Sequence, residues 1–267
     1  MAGGHELREV ALLAARDGAA VHRERLGSVR AEDGDLKGIA DYVTSVDREA
    51  EATVLGRIAT SFPDHAVLAE ESAAPEPDSS EWLWIVDPLD GTTNFLHGFP
   101  MFAASVAVAH RGTLVAGAVV SSATGEEWTA AAGLGATMNG QPIVVSTLAS
   151  LRHALVGTGF PFKKPALLSE YLVQLEAVLR ATAGVRRAGS AALDLCYLAC
   201  GRLDAFWELD LAAWDVAAGT LIAREAGATV TRLDGSPDMI GSGSVLAGTP
   251  SLYGALARVL RTAGQNP

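Results

Sequence analysis

The chain has 267 residues, of which 31 are acidic and 20 are basic, so its formal net charge is −11 with histidine neutral. Hydrophobic residues make up 49% and charged residues 19% of the sequence, which is the composition of a globular protein. The acidic excess, without any run of five or six basic residues, argues against a nucleic-acid groove binder and against a polybasic membrane module.

Cysteine content and the N-terminal segment indicate the cellular setting. Cys196 and Cys200 are too few for a disulfide scaffold and lack the companions of a zinc site. They lie four residues apart among leucines, so we expect two reduced cysteines in a helical core. The first residues do not read as a signal peptide, and no apolar stretch approaches 18 residues. We therefore expect a cytoplasmic protein that makes no contact with a membrane.

The first half of the chain, up to about residue 150, combines two amphipathic helices with a series of short strands. Thr44 and Asp47 form a capping-box pattern at the start of the second helix. Residues 72–80 are rich in proline and serine and predict a loop. The predicted elements are helices over 7–26 and 44–60, strands over 66–69, 82–86, 102–109 and 114–120, and turns at 111–113, 133–135 and 139–140.

The second half alternates short apolar runs with helical stretches, which is typical of α/β structure. The apolar runs are 154–156, 204–207, 229–231 and 245–247, and the helical stretches are 167–181, 190–200, 215–226 and 251–262. The sequence contains no internal repeat, low-complexity tract or long linker. We expect residues 1–267 to form one compact domain with halves at 1–150 and 151–267.

The densest group of chemically useful side chains follows the predicted strand 82–86. It reads Asp87-Pro88-Leu89-Asp90-Gly91-Thr92-Thr93-Asn94, and Pro88 and Gly91 allow the backbone to turn so that the two carboxylates converge. Hard divalent cations such as Mg²⁺ bind carboxylates and backbone carbonyls of this kind. A short helix over 93–97 would leave the Gly91 and Thr92 amides free to hold a phosphate. The structural alternative is an Asp-Gly surface turn in which Thr92 caps the helix.

Three further acids lie at the ends of predicted elements. Glu70 follows the strand 66–69, Asp215 opens a helical stretch, and Asp47 begins the second helix. Each also has a purely structural interpretation, because adjacent glutamates are usually solvated and the two aspartates could serve only as helix caps.

Together these segments resemble the inositol monophosphatase family of metal-dependent, lithium-sensitive phosphomonoesterases. The resemblance covers most of the chain, and its matching segments are Lys37-Gly38, 41–47, Glu70-Glu71-Ser72, 87–94 and 214–219. Ala69 departs from the glycine that often precedes the glutamates in this family, without removing a ligand. The resemblance implies a layered α-β-α-β-α sandwich and a homodimer.

The same resemblance implies roles for individual residues. Glu70, Asp87 and the Leu89 carbonyl would hold one Mg²⁺, and Asp87, Asp90 and Asp215 a second. Asp47 and Glu70 would lie near a third, partly through water. Substrate contacts would come from Gly189, Ser190 and Ala191, and from Glu208 toward a sugar or cyclitol hydroxyl. Li⁺ would be an inhibitor.

These residues suit phosphomonoester hydrolysis, since two-metal sites promote both water attack and departure of the leaving oxygen. Our hypothesis is that Glu70 and Thr92 orient the attacking water while Asp90 and Asp215 hold the leaving-group metal. We expect myo-inositol monophosphates as substrates because Glu208 precedes Asp215 by seven residues, as in the inositol-type branch. Histidinol phosphate, fructose 1,6-bisphosphate and nucleotide 3'-phosphates are the alternatives within the family.

Two alternatives outside this reading stay open from the sequence. A haloacid dehalogenase-type phosphatase also places Asp-Gly-Thr after an apolar strand, but its two aspartates are separated by one residue, whereas Asp87 and Asp90 are separated by two. A non-catalytic phospholigand-binding or scaffold protein would be expected to have lost a ligand, and none of the matching carboxylates is missing.

Overall fold

The computed structural model describes residues 3–29, 35–38, 41–72, 80–241 and 243–264, with the backbone alone for residues 35–38 and 41–42. Its helices are α1 (Gly4–Arg25), α2 (Ser45–Ser61), α3 (Thr92–Leu96), α4 (Leu168–Ala181), α5 (Ala191–Ala199), α6 (Ala213–Glu225) and α7 (Tyr253–Thr262). Its first strands are β1 (Asp35–Gly38), β2 (Asp41–Val43), β3 (Ala66–Ala69), β4 (Trp82–Asp90), β5 (Ala103–His110), β6 (Thr113–Ser121) and β7 (Glu127–Ala131). The remaining strands are β8 (Ala136–Met138), β9 (Gln141–Ile143), β10 (Leu155–Thr158), β11 (Gly184–Arg186), β12 (Ala205–Leu211), β13 (Thr229–Arg232) and β14 (Gly243–Gly248).

The strands form two large sheets and one small antiparallel pair, β1 with β2. The first large sheet has the order β3-β4-β5-β6-β7-β8-β9, in which β3 is parallel to β4 and all other neighbours are antiparallel. The second has the order β11-β10-β12-β14-β13, in which β11, β10 and β12 are parallel and the other pairs antiparallel. The first half of the chain therefore builds one sheet and the second half the other.

Side-chain alternation along the strands divides the interior into layers. On β4, Trp84 and Val86 face a core shared with α1 and α2, whereas Ile85 faces a core shared with α5 and α6. That second core also contains Phe206 and Val245 from the five-stranded sheet, so α5 and α6 lie between the two sheets. Helices α4 and α7 cover the outer face of the five-stranded sheet. The order of layers is α-β-α-β-α, which confirms the predicted fold class.

Most of the predicted elements are present with small shifts at their ends. The β5–β6 hairpin turns at Arg111 and Gly112, both with positive φ, and Asn139-Gly140 forms the β8–β9 turn. Strand β11 was not predicted, because three residues at a sheet edge carry too little apolar pattern. Both cysteines are free, with Cys196 buried in the α5 core.

Two sequence predictions fall largely outside the residues that the structure describes. The loop over 72–80 has only its first and last residues described, and the side chain of Lys37 is also outside. No helix within the described ranges is long and apolar enough to cross a membrane.

Candidate active site

A cavity of about 390 Å³ opens between the two halves of the molecule. The first half contributes Glu70, Asp87, Leu89, Asp90, Gly91, Thr92, Thr93 and Asn94 to its lining. The second half contributes Phe160, Pro161, Phe162, Lys163, Lys164, Arg187, Gly189, Ala191, Glu208, Leu209, Asp210, Leu211 and Asp215. Most of the site residues suggested by the sequence therefore border one space, although they are spread over more than 140 positions.

The Asp87–Asp90 segment forms the last part of β4, where a β-bulge interrupts the pairing with β5. We predicted that the strand would stop at Val86, which is wrong: β4 continues to Asp90, with a register shift against β5 between Asp87 and Asp90. Pro88 is tolerated because a bulged residue does not need to donate a ladder hydrogen bond. The Leu89 amide donates to Asp87 Oδ1 at 3.0 Å. The bulge thus brings both aspartates to the cavity.

Electrostatic repulsion is concentrated at Asp87, which is 1% exposed. Burial raises the pKa of Asp87 well above its ordinary value, and the nearby Glu70, Asp90 and Asp215 carboxylates raise it further. Acids from β4, from the end of β3 and from α6 therefore act on one another through space.

Asp90 connects the two halves of the site. Its Oδ2 accepts hydrogen bonds from Ser190 Oγ at 2.6 Å and from the Ala192 amide at 2.8 Å, at the start of α5. Burial raises the pKa of Asp90 to about 6, while these hydrogen bonds oppose the rise. The Ser190 hydroxyl, expected to contact substrate, is buried against Asp90, and Gly189 and Ala191 form the cavity wall.

Thr92 links the bulge to Asp47. The Thr92 hydroxyl lies 2.9 Å from Asp47 Oδ1 and 3.1 Å from the Leu89 carbonyl oxygen, and it can donate a hydrogen bond to either acceptor. The idea that Thr92 only caps a helix is wrong, because the N-cap of α3 is Gly91. Gly91 has φ +94°, and a Cβ there would lie 2.7 Å from the Met101 carbonyl oxygen.

Asp47 has the capping role that the sequence predicts, and it also contacts Thr92. Its Oδ2 accepts from the Thr44 amide at 2.8 Å, which confirms the capping box of α2. Its Oδ1 faces the Thr92 hydroxyl. Asp47 is 1% exposed and is separated from the cavity by Thr92.

Glu70 and Asp215 enter the cavity from opposite halves. The Glu70 amide donates to the Val86 carbonyl at 3.3 Å, which carries the parallel β3–β4 pairing one residue beyond β3 and places Glu70 beside the bulge. Asp215 was considered as an N-cap, which is wrong: α6 begins at Ala213, and Asp215 accepts from the Ala212 amide at 2.6 Å from inside the first turn.

Glu208 on β12 lines the cavity from the second half of the chain. Burial raises the pKa of Glu208 well above its usual value, and Asp194 and Asp215 add to the effect. A Cβ on Gly159 would overlap the Glu208 carboxylate, so this glycine makes the room that the side chain occupies.

Two features of the site are not predicted from the sequence. Asn94 Nδ2 lies within hydrogen-bond distance of three carbonyl oxygens: Met101 at 2.7 Å, Ala188 at 3.0 Å and Gly189 at 3.2 Å. Arg187 lies against two phenylalanine rings at the cavity. No local sequence pattern signals the second feature, because Arg187 lies 25 residues or more from both rings.

The donor atoms suit a hard divalent cation. Within the described residues, no three His, Cys, Asp or Glu side chains form a group already arranged to hold a metal. The oxygen chemistry nevertheless fits Mg²⁺, because carboxylates whose mutual repulsion raises the pKa of Asp87 are stabilised by a cation between them.

Sequence and structure comparisons give consistent relatives. A profile of the inositol monophosphatase family matches residues 4–265. The chain is 44% identical over 235 residues to the inositol-1-monophosphatase of Mesorhizobium japonicum, covering 88% of each protein. It is 43% identical over 259 residues to Nus factor SuhB of Pseudomonas aeruginosa, covering 94% of each.

Solved structures agree with this relationship. The extragenic suppressor protein suhB from Bartonella henselae superposes with a TM-score of 0.89 at 38% identity, covering 96% of this chain and 98% of that one. The family match and the relatives named inositol-1-monophosphatase support a phosphatase, and they separate the chain from haloacid dehalogenase-type enzymes. The protein belongs to the inositol monophosphatase family.

Proposed function

We propose that the protein is a Mg²⁺-dependent phosphomonoesterase that hydrolyses myo-inositol monophosphates to myo-inositol and phosphate. One observation carries the proposal: Glu70, Asp87, Asp90 and Asp215 converge on a cavity that Glu208 also lines. A site for a polyol phosphate needs two features. One is a cluster of acids that holds cations, and the other is a separate carboxylate that binds the hydroxyl groups.

In this proposal the oxygen donors divide between two principal Mg²⁺ sites. Glu70, Asp87 and the Leu89 carbonyl would hold one ion, and Asp87, Asp90 and Asp215 the other, with Asp47 near a third. Bound Mg²⁺ supplies charge neutralisation and makes water more acidic, both of which phosphomonoester hydrolysis needs.

The chain's own groups bind and orient the reactants. The scissile phosphate lies against Gly91 and Thr92, and Glu70 with the Thr92 hydroxyl orients the attacking water. Support comes from the Thr92 hydroxyl, which already lies within hydrogen-bond distance of Asp47 and of the Leu89 carbonyl. Water attacks phosphorus directly, so no aspartyl phosphate forms at Asp87.

Glu208 would select the substrate through its hydroxyl groups. A carboxylate offers two acceptor oxygens that can bind neighbouring hydroxyls of a cyclitol or sugar. Replacement by Glu208→Gln keeps the size of the side chain and changes its hydrogen-bonding pattern, so discrimination among polyol phosphates should change. Unchanged ratios of kcat/KM across the polyol series would contradict this role.

The activity is tested by measuring phosphate release from inositol 1-phosphate, histidinol phosphate, fructose 1,6-bisphosphate and adenosine 3',5'-bisphosphate. We expect turnover only with Mg²⁺, inhibition by Li⁺, and the highest kcat/KM for inositol 1-phosphate. A higher kcat/KM for another ester would show that this ester, and not inositol 1-phosphate, is the preferred substrate. No phosphate release from any ester would contradict the proposed function.

The metal roles are tested by Asp90→Asn. We expect a loss of turnover by at least about a hundredfold, since removing a charged group that stabilises a transition state has effects of this order. Glu176→Gln on the exposed face of α4 is the control and should keep wild-type turnover. Near-wild-type activity of Asp90→Asn would contradict its assignment.

A non-catalytic role is the second candidate, because relatives at 42–43% identity carry the name Nus factor SuhB. The complete set of acidic side chains around the cavity favours catalysis, and phosphate release distinguishes the two. The homodimer and the cytoplasmic location expected from the sequence stay predictions.

A further inference from the structure

We infer that Arg187 binds a second anionic group on the substrate, so that, of two phosphomonoesters that are otherwise alike, the enzyme favours the one that also carries a distant phosphate or carboxylate. This inference rests on the proposed phosphatase function and adds a specificity residue to it. Arg187 is exposed and lines the same cavity as the acids that would hold metal.

The guanidinium of Arg187 is held by aromatic rings. Its Cζ lies 5.3 Å from the centroid of the Phe160 ring and 5.2 Å from that of Phe162, and the two rings are perpendicular at 5.5 Å. Phe160 packs edge-on against Tyr171, which is buried and stacked on Trp207. Cation–π contact with the Phe160 ring, which packs on buried Tyr171, and with the more exposed Phe162 ring orients the arginine without using its N–H donors.

Those donors are available to a ligand. Among the described residues, no carboxylate lies within ion-pair distance of Arg187, and no acceptor forms a hydrogen bond with its guanidinium. Lys164, on the same rim, differs because it forms an ion pair with Asp210 at 2.5 Å. An oriented guanidinium with a free set of parallel N–H groups is suited to bidentate binding of a phosphate or carboxylate.

An anionic group bound to Arg187 would lie close to the proposed position of the scissile phosphate, but at a separate place. The Gly189 carbonyl oxygen lies 3.3 Å from the position of a Cβ on Gly91, and a Cβ on Gly189 would overlap Arg187 Nη1. The backbone of Gly189 thus separates Gly91 from Arg187. A substrate reaching across this residue could place its reacting phosphate against Gly91 and another anionic group against Arg187.

Matched esters test the inference. Fructose 1,6-bisphosphate with fructose 1-phosphate tests a second phosphate, and glycerate 3-phosphate with glycerol 3-phosphate tests a carboxylate. We expect Arg187→Met, which keeps an apolar stem between the rings, to lower kcat/KM about ten- to a hundredfold for the doubly anionic member of at least one pair. The singly anionic members should change by less than about twofold, which also shows that the variant is folded.

Two more variants sharpen the result. Arg187→Lys keeps the charge but loses the planar set of donors, so it should recover only part of the loss. Arg186→Met is the matched control, because Arg186 lies on β11 outside the cavity and donates to the Val185 carbonyl at 3.0 Å. It should leave all four esters unchanged.

The outcomes separate this inference from the proposed function. Equal losses for singly and doubly anionic esters in Arg187→Met would place Arg187 on the scissile phosphate and overturn the inference alone. Unchanged kinetics for both pairs would also overturn it alone. No Mg²⁺-dependent release from any ester by the wild-type protein would overturn the proposed function, and the inference with it.

Discussion

The two walls of the cavity differ in both charge and construction. The first-half wall consists of acids at the end of β3 and in the β4 bulge, where repulsion raises the pKa of Asp87. Asp215 on α6 faces these acids from the second half, and the rest of the second-half wall mixes acids with cations, including Glu208, Arg187 and the ion pair of Lys164 with Asp210. The first wall is suited to cations that any phosphomonoester needs, whereas the second is suited to telling one ester from another.

This difference shows how the fold can separate reaction from selection. The acids of the first wall are positioned by the backbone of β4 and of the residue after β3. Strand β4 is hydrogen-bonded to β3 on one side and to β5 on the other. The selecting residues lie on β12, in the segment 160–164 and before α5, in parts of the chain other than the β4 bulge. Variants of the two walls should therefore fail in different ways.

The largest effect is expected from Asp87→Asn on the first wall. Removing this charge relieves repulsion, so the metal-free protein should unfold at a higher temperature than the wild type at pH 7. The variant should lose turnover by orders of magnitude. It should also lose most of the stabilisation that Mg²⁺ gives the wild-type protein. Thermal unfolding with and without Mg²⁺ measures this, and an unchanged Mg²⁺ response would contradict the role of Asp87.

A pH effect is expected behind the first wall, at His22. Its Nδ1 lies 2.7 Å from Ser122 Oγ, and burial lowers the pKa of His22 to about 4. The His22 imidazole takes up a proton near pH 6.5 in the unfolded chain, but only near pH 4 in the folded protein. The stability that depends on neutral His22 is therefore fully present above pH 6.5. It is lost as the pH falls toward 4, and it amounts to about 3 kcal/mol.

The His22 contribution is isolated by comparison with His22→Asn. Buried acids with raised pKa, such as Asp87 and Asp90, act in the opposite direction in both proteins and cancel in the difference. Urea unfolding from pH 7 to pH 4 should show a steeper loss for the wild type than for the variant. Parallel curves would show that His22 takes up its proton equally in both states.

A smaller stability effect is expected where the walls meet, at Asn94. Its amide bridges the Met101 carbonyl of the first half and the Ala188 and Gly189 carbonyls of the second. Asn94→Ala should lower the free energy of unfolding by about 1–3 kcal/mol, since it leaves partly buried carbonyls unpaired. Thr53→Ala removes one exposed side-chain to backbone hydrogen bond within α2 and serves as the control. Equal losses in the two variants would contradict a special role for Asn94.

The smallest effect is expected for Gly159→Ala on the second wall. The added methyl group displaces the Glu208 carboxylate, so discrimination among polyol phosphates should fall by about tenfold, the value of one hydrogen bond to a charged group. Mg²⁺ binding should stay unchanged. Gly56→Ala, where a Cβ meets nothing within 4 Å, should leave kinetics unaltered. Loss of Mg²⁺ binding in Gly159→Ala would show that the walls are not separate.

The difference between the two walls also explains which site residues could be predicted from the sequence. The run 87–94 is contiguous and follows an apolar strand, so its chemistry was visible, although the bulge that extends β4 to Asp90 was not. Asp215 was found through its motif, but its place inside the first turn of α6 depends on where the helix begins. Arg187 and Asn94 could not be assigned, because the rings and carbonyls that they contact lie far away in sequence.

The central claim is that acids from both halves of the chain form one Mg²⁺-dependent hydrolytic site. It is tested most directly by the rate of phosphate release from inositol 1-phosphate across a Mg²⁺ titration. The wild-type protein, Asp215→Asn and the exposed control Glu176→Gln should be compared. The account predicts saturable Mg²⁺-dependent turnover for the wild type and the control, and a loss of orders of magnitude for Asp215→Asn. Equal Mg²⁺-dependent rates in all three proteins would contradict it.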